Sequence, residues 1–358
     1  MDLFEFMPKS KFSASYGSDK GNYPFFTSSN TIDKYCDDFI YDGEFLIIGD
    51  GGTGNCKHYN GKFSVSDHNY VLKPKSQTNA LAVKYFLEKD NYQILNDGFK
   101  GIGIKNVSKS YIQNIDYKYN QHFSQNEIVK NLVLIEKNIE REKQSINSLD
   151  CLIKSRFNEM FGDIISNKNQ WQTDIFSKIC DIRDGTHDSP KYVNNGYLFI
   201  TAKNITNGEL NFENSKLISK QDFDKIEKRS HVDNGDILMP MIGTIGGAII
   251  VKKDRDFAIK NVCLIKFKKE SLVINTYILF LLNSNEMNEH LNLIKKGGIQ
   301  SFVGLSTIRE INIPIPPLYK QFEFASFVEQ IDKLKFNCQQ RIKLYQELLD
   351  KKMDEYFG

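Results

Sequence analysis

The chain has 358 residues, 40% of them hydrophobic and 26% charged, with 23 Gly and only 8 Pro. That composition predicts about two globular domains and excludes disordered, collagen-like and low-complexity chains. A mean hydropathy of −0.43 and the lack of any apolar run longer than 277–282 exclude a membrane span, which needs ~20 such residues, and a net charge of +2 is too balanced to announce a nucleic-acid binder by itself. The first residues show neither the basic nor the apolar region of a secretory signal. Six cysteines, at 36, 56, 151, 180, 263 and 338, never approach a C-x-x-C spacing, so a cytoplasmic protein without zinc or disulfides is expected.

In chain order, strand-like runs punctuated by Gly, Asn and Asp come first, at 44–48 and 70–72. A short helix is predicted over 79–88, then a Gly-rich turn, an Ile-alternating strand and one long helix. In that helix the apolar positions step by four and three through Ile128, Leu132, Ile135, Ile139, Ile146, Leu149, Ile153 and Met160, interrupted by Glu142 and Arg156. Such a heptad seam predicts a coiled-coil partner. The same order then recurs, with runs at 197–200, 236–238 and 248–251, a helix over 275–283, a Gly-rich turn, an Ile-rich strand and a second long helix. Its seam holds Phe324, Val328, Ile331, Cys338, Ile342, Tyr345, Leu349 and Tyr356, with Lys335 as the exception.

The recurrence is a true repeat. Glu159-Met160-Phe161-Gly162 reappears as Glu355-Tyr356-Phe357-Gly358, and at that offset of 196 the segments 101–162 and 297–358 align without a gap. Val107 meets Val303, Ile112 meets Ile308, Gln125 meets Gln321 and Glu127 meets Glu323. In all, 15 of 62 positions are identical, where composition alone would give roughly four. The long-helix segments 121–162 and 321–358 carry net charges of 0 and −1, so they suit a spacer or a partner surface better than a DNA face. From Glu127 to Met160 the helix spans ~50 Å, longer than one turn of B-DNA at ~34–36 Å.

These motifs, in this order and twice over, resemble the specificity (S) subunit of type I restriction-modification systems. In the first half the resemblance rests on Tyr23-Pro24-Phe25-Phe26-Thr27-Ser28-Ser29, on 47–55 with Gly49-Asp50-Gly51-Gly52-Thr53-Gly54, and on Phe63-Ser64-Val65-Ser66-Asp67-His68. In the second it rests on Gly185-Thr186, on 199–205, on Asn234-Gly235-Asp236-Ile237-Leu238, on Gly243-Thr244-Ile245-Gly246, and on Ile313-Pro314-Ile315-Pro316-Pro317-Leu318-Tyr319-Lys320-Gln321. The first half departs from the pattern at 115–120, where no Ile-Pro-Ile-Pro-Pro-Leu equivalent stands. The resemblance implies an α+β fold: two mixed α/β target-recognition domains separated by two long antiparallel helices that form a coiled coil, with an internal pseudo-twofold repeat. The expected boundaries are 1–120 for the first recognition domain, 121–162 for the central helix, 163–319 for the second domain and 320–358 for the C-terminal helix. Double-stranded DNA and two methyltransferase subunits are the implied partners, with restriction/translocase subunits as further ones. S-adenosylmethionine and, for restriction, ATP and Mg are implied for those partners and not for this chain.

Catalysis by the chain itself finds no motif. Adenine methylation needs an Asn/Asp-Pro-Pro-aromatic loop to hold the flipped base, whereas Pro316-Pro317 is flanked by Ile315 and Leu318. Gly51-Gly52-Thr53-Gly54 lacks the Lys of a phosphate loop. His58 and His68 with Asp50, Asp67 and Cys56 leave a metal or nucleophilic site conceivable, against the plainer reading of a polar, turn-rich contact loop.

DNA contact calls for cations and small donors on phosphates and for side chains that reach base edges. In the first domain the candidates are Lys57, His58, Tyr59, Asn60 and Lys62, read as a loop between glycines, with Ser28, Ser29 and Asn30. In the second they are Arg183, Thr186, His187 and Lys191, then Lys203 and Asn204, Arg229 and Ser230, and Thr244. Each alone reads equally well as a solvated loop residue. Lys252, Lys253 and Arg255 interleave with Asp254 and Asp256 and read as a surface turn. The globular parts, 1–120 and 163–320, carry 0 and +3, so modest isolated DNA affinity is expected. A coiled-coil adaptor without DNA readout, and the specificity subunit of a type II system with the same layout, are the alternatives.

Overall fold

The computed structural model describes residues 3–29, 31, 34–206, 208–241, 247–295 and 302–358. The chain divides into two compact units, one built from 1–144 with 338–358 and the other from 145–337.

In the first unit, β1 (Phe4–Phe6), β2 (Tyr23–Phe26), β3 (Tyr35–Cys36), β4 (Tyr41–Gly49), β5 (Cys56–Val65) and β6 (Asn69–Pro74) form a sheet in the order β1-β6-β4-β5-β2-β3. Along β4 the predicted apolar run 44–48 supplies both faces: Leu46 and Ile48 join a core with Cys56 and Leu72, while Phe45 and Ile47 join Phe26, Phe63 and Val71. That alternation is what a strand buried on two sides requires. The predicted helix is α1 (Ala80–Asn96), N-capped by the Asn79 side chain. Its regular part ends at 88, because Lys89 turns extended and Asp90, Asn91 and Tyr92 adopt positive φ. A short hairpin of β7 (Phe99–Lys100) and β8 (Asn106–Val107), then α2 (Lys109–Gln113), lead into α3 (Gln125–Phe161).

The second unit runs β9 (Gln172–Ile175), α4 (Phe176–Ile179), β10 (Asp181–Asp184), β11 (Tyr192–Ile200), β12 (Ile205–Thr206), β13 (Glu209–Leu210), β14 (Lys216–Ile218), α5 (Lys220–Ser230), β15 (Ile237–Pro240), β16 (Ile249–Ile250), β17 (Phe257–Ile259) and β18 (Val262–Lys266). It continues with α6 (Asn275–Leu282), α7 (Asn285–Ile294), α8 (Leu305–Arg309), β19 (Asn312–Ile315) and the first part of α9 (Leu318–Phe357), whose residues from 338 on belong to the first unit. Among the described residues its main sheets order β10-β18-β15-β16 and β14-β11-β17.

The offset of 196 is visible in the fold, since α2 and α8 occupy equivalent residues. Gln125 accepts from the backbone N–H of Asn79, the N-cap of α1, at 2.9 Å, and Gln321 accepts from that of Ile274, the N-cap of α6, at 3.0 Å. One repeated residue thus ties the first turns of each long helix to the start of an earlier helix, α1 or α6. The strand expected in the first half after the Gly-rich turn does not form. β19 pairs antiparallel with β9, whereas at 116–119 no described strand offers an edge, and Tyr117 and Tyr119 stack on each other at 5.4 Å instead.

Both heptad seams are realised, each within its unit. In the first, Ile128 and Leu132 are buried with Tyr356 and Phe357. Asn131 donates to the Tyr356 hydroxyl at 2.8 Å, and Glu142 accepts two Arg341 hydrogen bonds at 2.7 and 2.8 Å, so the helix segments run antiparallel. In the second, Ile153, Phe157 and Phe161 pack with Tyr277, Phe324 and Val328, and Arg156 meets Glu323 at 2.8 Å while Lys335 meets Asp150 at 2.6 Å. The three polar interruptions of the seams, Glu142, Arg156 and Lys335, are therefore cross-helix ion pairs. Among the described residues, no helix is long and apolar enough to cross a membrane.

Candidate nucleic-acid interface

In the first unit the residues at 56–62 are not a loop but the first part of β5, and strand alternation sorts them. Lys57 is 8% exposed, and its ammonium donates to the Thr27 carbonyl at 3.2 Å and to Asn55 Oδ1 at 3.1 Å. It is thereby removed from the contact set, because it braces β5 against the 27–29 loop. Tyr59 points to the same side and packs edge-on against Phe26 and Phe63. His58, Asn60 and Lys62 take the other face, opposite Leu46, Glu44 and Asp42 of β4. His58 Nε2 lies 2.8 Å from Glu44, Lys62 sits over the Phe39 ring at 4.5 Å, and Asn60 is exposed. Ser28 gives its carbonyl to Asn55, and the exposed Ser29 hydroxyl bonds Thr31. Asn30 lies outside the described residues.

A second group converges at the end of β4, where sequence reading had set Asp50 beside His68 but had not brought in Lys9 or the β7–β8 hairpin. The Asp50 backbone N–H donates to the His68 carbonyl, and the Asp50 carboxylate is shared by the Lys9 ammonium and by His68 Nδ1 at 3.2 Å. Val107 donates to the Asp50 carbonyl and Gly52 to the Lys105 carbonyl, which brings the β7–β8 hairpin to the same turn. Lys100 and Lys105 are exposed there and pair with no described carboxylate. The missed signal was present as Gly101 and Gly103 spaced around isoleucines.

In the second unit the candidates gather on Asp184, a buried carboxylate at the end of β10. The Arg229 guanidinium binds one of its oxygens and His187 Nε2 the other at 2.7 Å, while Asn261 holds His187 Nδ1 at 2.8 Å. The Gly185-Thr186 pair makes this possible: Thr186 bridges Lys260, and a Cβ at Gly185 would meet the Ile259 carbonyl oxygen at 2.3 Å. Arg183 forks onto Asp181 at 2.6 and 3.0 Å and donates to the Arg229 carbonyl, and this pairing holds the Asp181 carboxyl below the usual range. Lys191 and Lys203 are exposed without a carboxylate partner among the described residues. Two candidates are corrected. Asn204 is buried, accepting from Thr201 and donating to Asn211 and Ser215, and Ser230 is buried with its hydroxyl on the Ile226 carbonyl. Both satisfy backbone and so cannot face a ligand. Thr244 lies outside the described residues. Lys253 pairs with Asp256 and Arg255 with Asp254, as a surface turn would have it.

Among the described residues the arrangement offers a hydrogen-bonding surface of exposed donors and cations. His58 and His68 bind different carboxylates, and burial pushes the Cys56 thiol up to about 12, which leaves it unreactive. Pro316 gives its carbonyl to Gln321 at 2.7 Å, a cap at the entrance to α9. Among the described residues no group of His, Cys, Asp and Glu is placed to hold a metal.

The chain is 22% identical over 355 residues to a type I restriction enzyme specificity subunit of Haemophilus influenzae, which covers 94% of this chain and 87% of that one. It is 24% identical over 191 residues to the EcoBI specificity subunit of Escherichia coli, covering 53% of this chain and 38% of the relative. Its fold matches the crystal structure of the type I S subunit from M. genitalium with a TM-score of 0.59 at 13% identity, over 99% of this chain and 93% of the other. It also matches a structure from a study of complex assembly in a type I system, with a TM-score of 0.57 at 14% identity, over 88% and 82%. The family model of the type I restriction modification DNA specificity domain matches residues 1–150 and again 169–346, and the chain belongs to that family.

Proposed function

We propose that the chain reads a two-part DNA sequence, one part through 1–120 and the other through 163–319, and that 121–162 and 320–358 dock two copies of one methyltransferase subunit. Restriction/translocase subunits would join the same complex, in the cytoplasm. The observation that carries this reading is the doubled plan: each unit has its own core and its own cluster of exposed donors and cations, and each is closed by the same kind of antiparallel helix seam. Two like docking surfaces in one chain suit two copies of one partner. The flanks of the seams, including Lys137, Lys143, Lys333 and Lys343, would form the polar rim of those contacts. The relatives named above are specificity subunits, which supports target choice as the role and leaves methyl transfer, with S-adenosylmethionine, to the partners; ATP and Mg for restriction belong there too. This chain's part is to hold the duplex in register through phosphate contacts and to discriminate base edges.

The test is an exchange of 163–318 for the matching segment of a relative, read by methylome sequencing of the host. One half of the modified sequence should change. A change in both halves, or methyl transfer by the purified chain alone, overturns the reading.

A further inference from the structure

The tip of the β7–β8 hairpin carries two isoleucines that nothing covers. Ile102 is 107% exposed and Ile104 78%, although burying such a side chain is worth ~1.5–3 kcal/mol. Single exposed apolar residues are ordinary, but two on one protruding tip mark a contact site.

The tip stands on a fixed base. Phe99 and Val107 root it in the core, and Phe99 pairs with Val107 as Lys100 does with Asn106. Gly52 donates to the Lys105 carbonyl at 3.0 Å and Val107 to the Asp50 carbonyl at 2.9 Å. Gly101 and Gly103 have φ of 141° and 88°, which L side chains rarely adopt, and a Cβ at Gly101 would meet the Ile104 carbonyl oxygen at 3.0 Å. These glycines let the five-residue turn hold both isoleucines outward. Along the chain their neighbours are Gly101, Gly103, Lys100, Lys105 and Asn106, so the sequence sets the apolar tip between two cations.

We propose that Ile102 and Ile104 form a wedge that enters a groove of duplex DNA and pries open one base step, with Lys100 and Lys105 on the phosphates at either side. This rests on the DNA-reading function proposed above. Charge complementarity favours a duplex over a protein partner: an apolar point flanked by exposed ammonium groups matches a stack of bases between two phosphate backbones. Isoleucine is among the side chains that unstack base steps, kinking the helix by roughly 20–90° at a cost of a few kcal/mol that new contacts offset. In the second unit Val303, the repeat partner of Val107, likewise donates to a backbone carbonyl, that of Met241, at 3.0 Å. Residues 296–301 lie outside the described residues.

The experiment uses the full chain reconstituted with its methyltransferase subunits and a duplex bearing the site found by methylome sequencing. A fluorescent adenine analogue placed at successive steps should brighten at one step when the wild-type complex binds, and end-to-end energy transfer should report a bend. The Ile102→Ala/Ile104→Ala double variant should lose both signals and bind about tenfold or more weakly, with an unchanged melting temperature because both side chains are exposed. Ile102→Trp should restore the unstacking. If the wild-type complex binds specifically and the double variant matches it in brightening, bend and affinity, the wedge is refuted while DNA reading stands. Loss of a methyltransferase subunit from the variant complex would make the tip a protein contact and also refute it. No specific binding by the wild-type complex would overturn DNA reading and the wedge together.

Discussion

The two units close their seams with the same helix ends but with different chemistry. In the second unit Phe161 is buried against Phe157 and Tyr277 at 5.0 Å each and Phe324 at 5.6 Å, and Phe280 completes the aromatic cluster. In the first, its repeat partner Phe357 meets Phe86 at 6.0 Å, and beside it Tyr356 packs on Phe123 and accepts from Asn131. One seal is a dry aromatic stack and the other is thinner and partly hydrogen-bonded. What duplication preserved is the register of the helices, while the residues that fill the register have diverged.

That comparison can be broken most sharply at the seals. Phe161→Ala should destabilise the protein by ~3–5 kcal/mol, the usual range for a buried Phe, and Phe357→Ala by clearly less, read as urea midpoints. Equal losses would mean that the ring contacts do not measure the seals. The shared glutamines come next. Gln321 is fully buried and also donates to the Leu272 and Pro316 carbonyls, so Gln321→Ala should cost ~2 kcal/mol or more through orphaned backbone groups. Gln125, with one bond to Asn79, should cost ~1 kcal/mol.

At the proposed DNA faces, Lys191→Ala and Lys203→Ala should each lower the salt slope of binding by about 1 without changing the melting temperature. Lys57→Ala should do the reverse, since its amine is spent on Thr27 and Asn55.

The smallest effect concerns acid. Arg341 hydrogen-bonds Glu142 and holds its carboxyl below the ordinary value. A depressed folded-state carboxylate stabilises above its unfolded pKa of ~4.3 and loses that contribution as pH falls through the folded value. Glu142→Gln should therefore cost under ~1 kcal/mol at neutral pH, given the solvent screening of an exposed pair, and the gap should vanish in acid. A gap that persists at pH 2 would place the effect in packing instead.

Periodicity made the seams and the repeat legible, because a heptad records which side is buried whatever the partner is, and the predicted helix over 79–88 stops where Lys89 leaves the helix. The same pattern could not separate strand from loop at 56–62: Lys57 and His58 look alike as polar residues, and only the pairing of β4 with β5 turns one inward and the other out. Asn204 and Ser230 were read as donors for a ligand when each is consumed by nearby backbone. At the turn on Asp50, His68 was legible beside it, but Lys9 and Lys105 were not, because no spacing rule links those places to 50 and 68. An Ile-alternating strand was expected in the first half as in the second, but alternation is only half of a strand and an edge to pair with is the other half.

The make-up of the first unit sets an order on biosynthesis. The seam that closes it needs 338–358, which are made last, while the second unit, 145–337, is contiguous and can fold as it emerges. At ~5–20 residues per second, the intervening chain takes roughly ten to forty seconds to synthesise. Throughout that interval Ile128 and Leu132 lack Tyr356 and Phe357, and the nascent chain presents an uncovered apolar stripe to chaperones and to neighbouring polypeptides. Yield in the cell should then depend on how that pause is protected as much as on the stability of the finished protein.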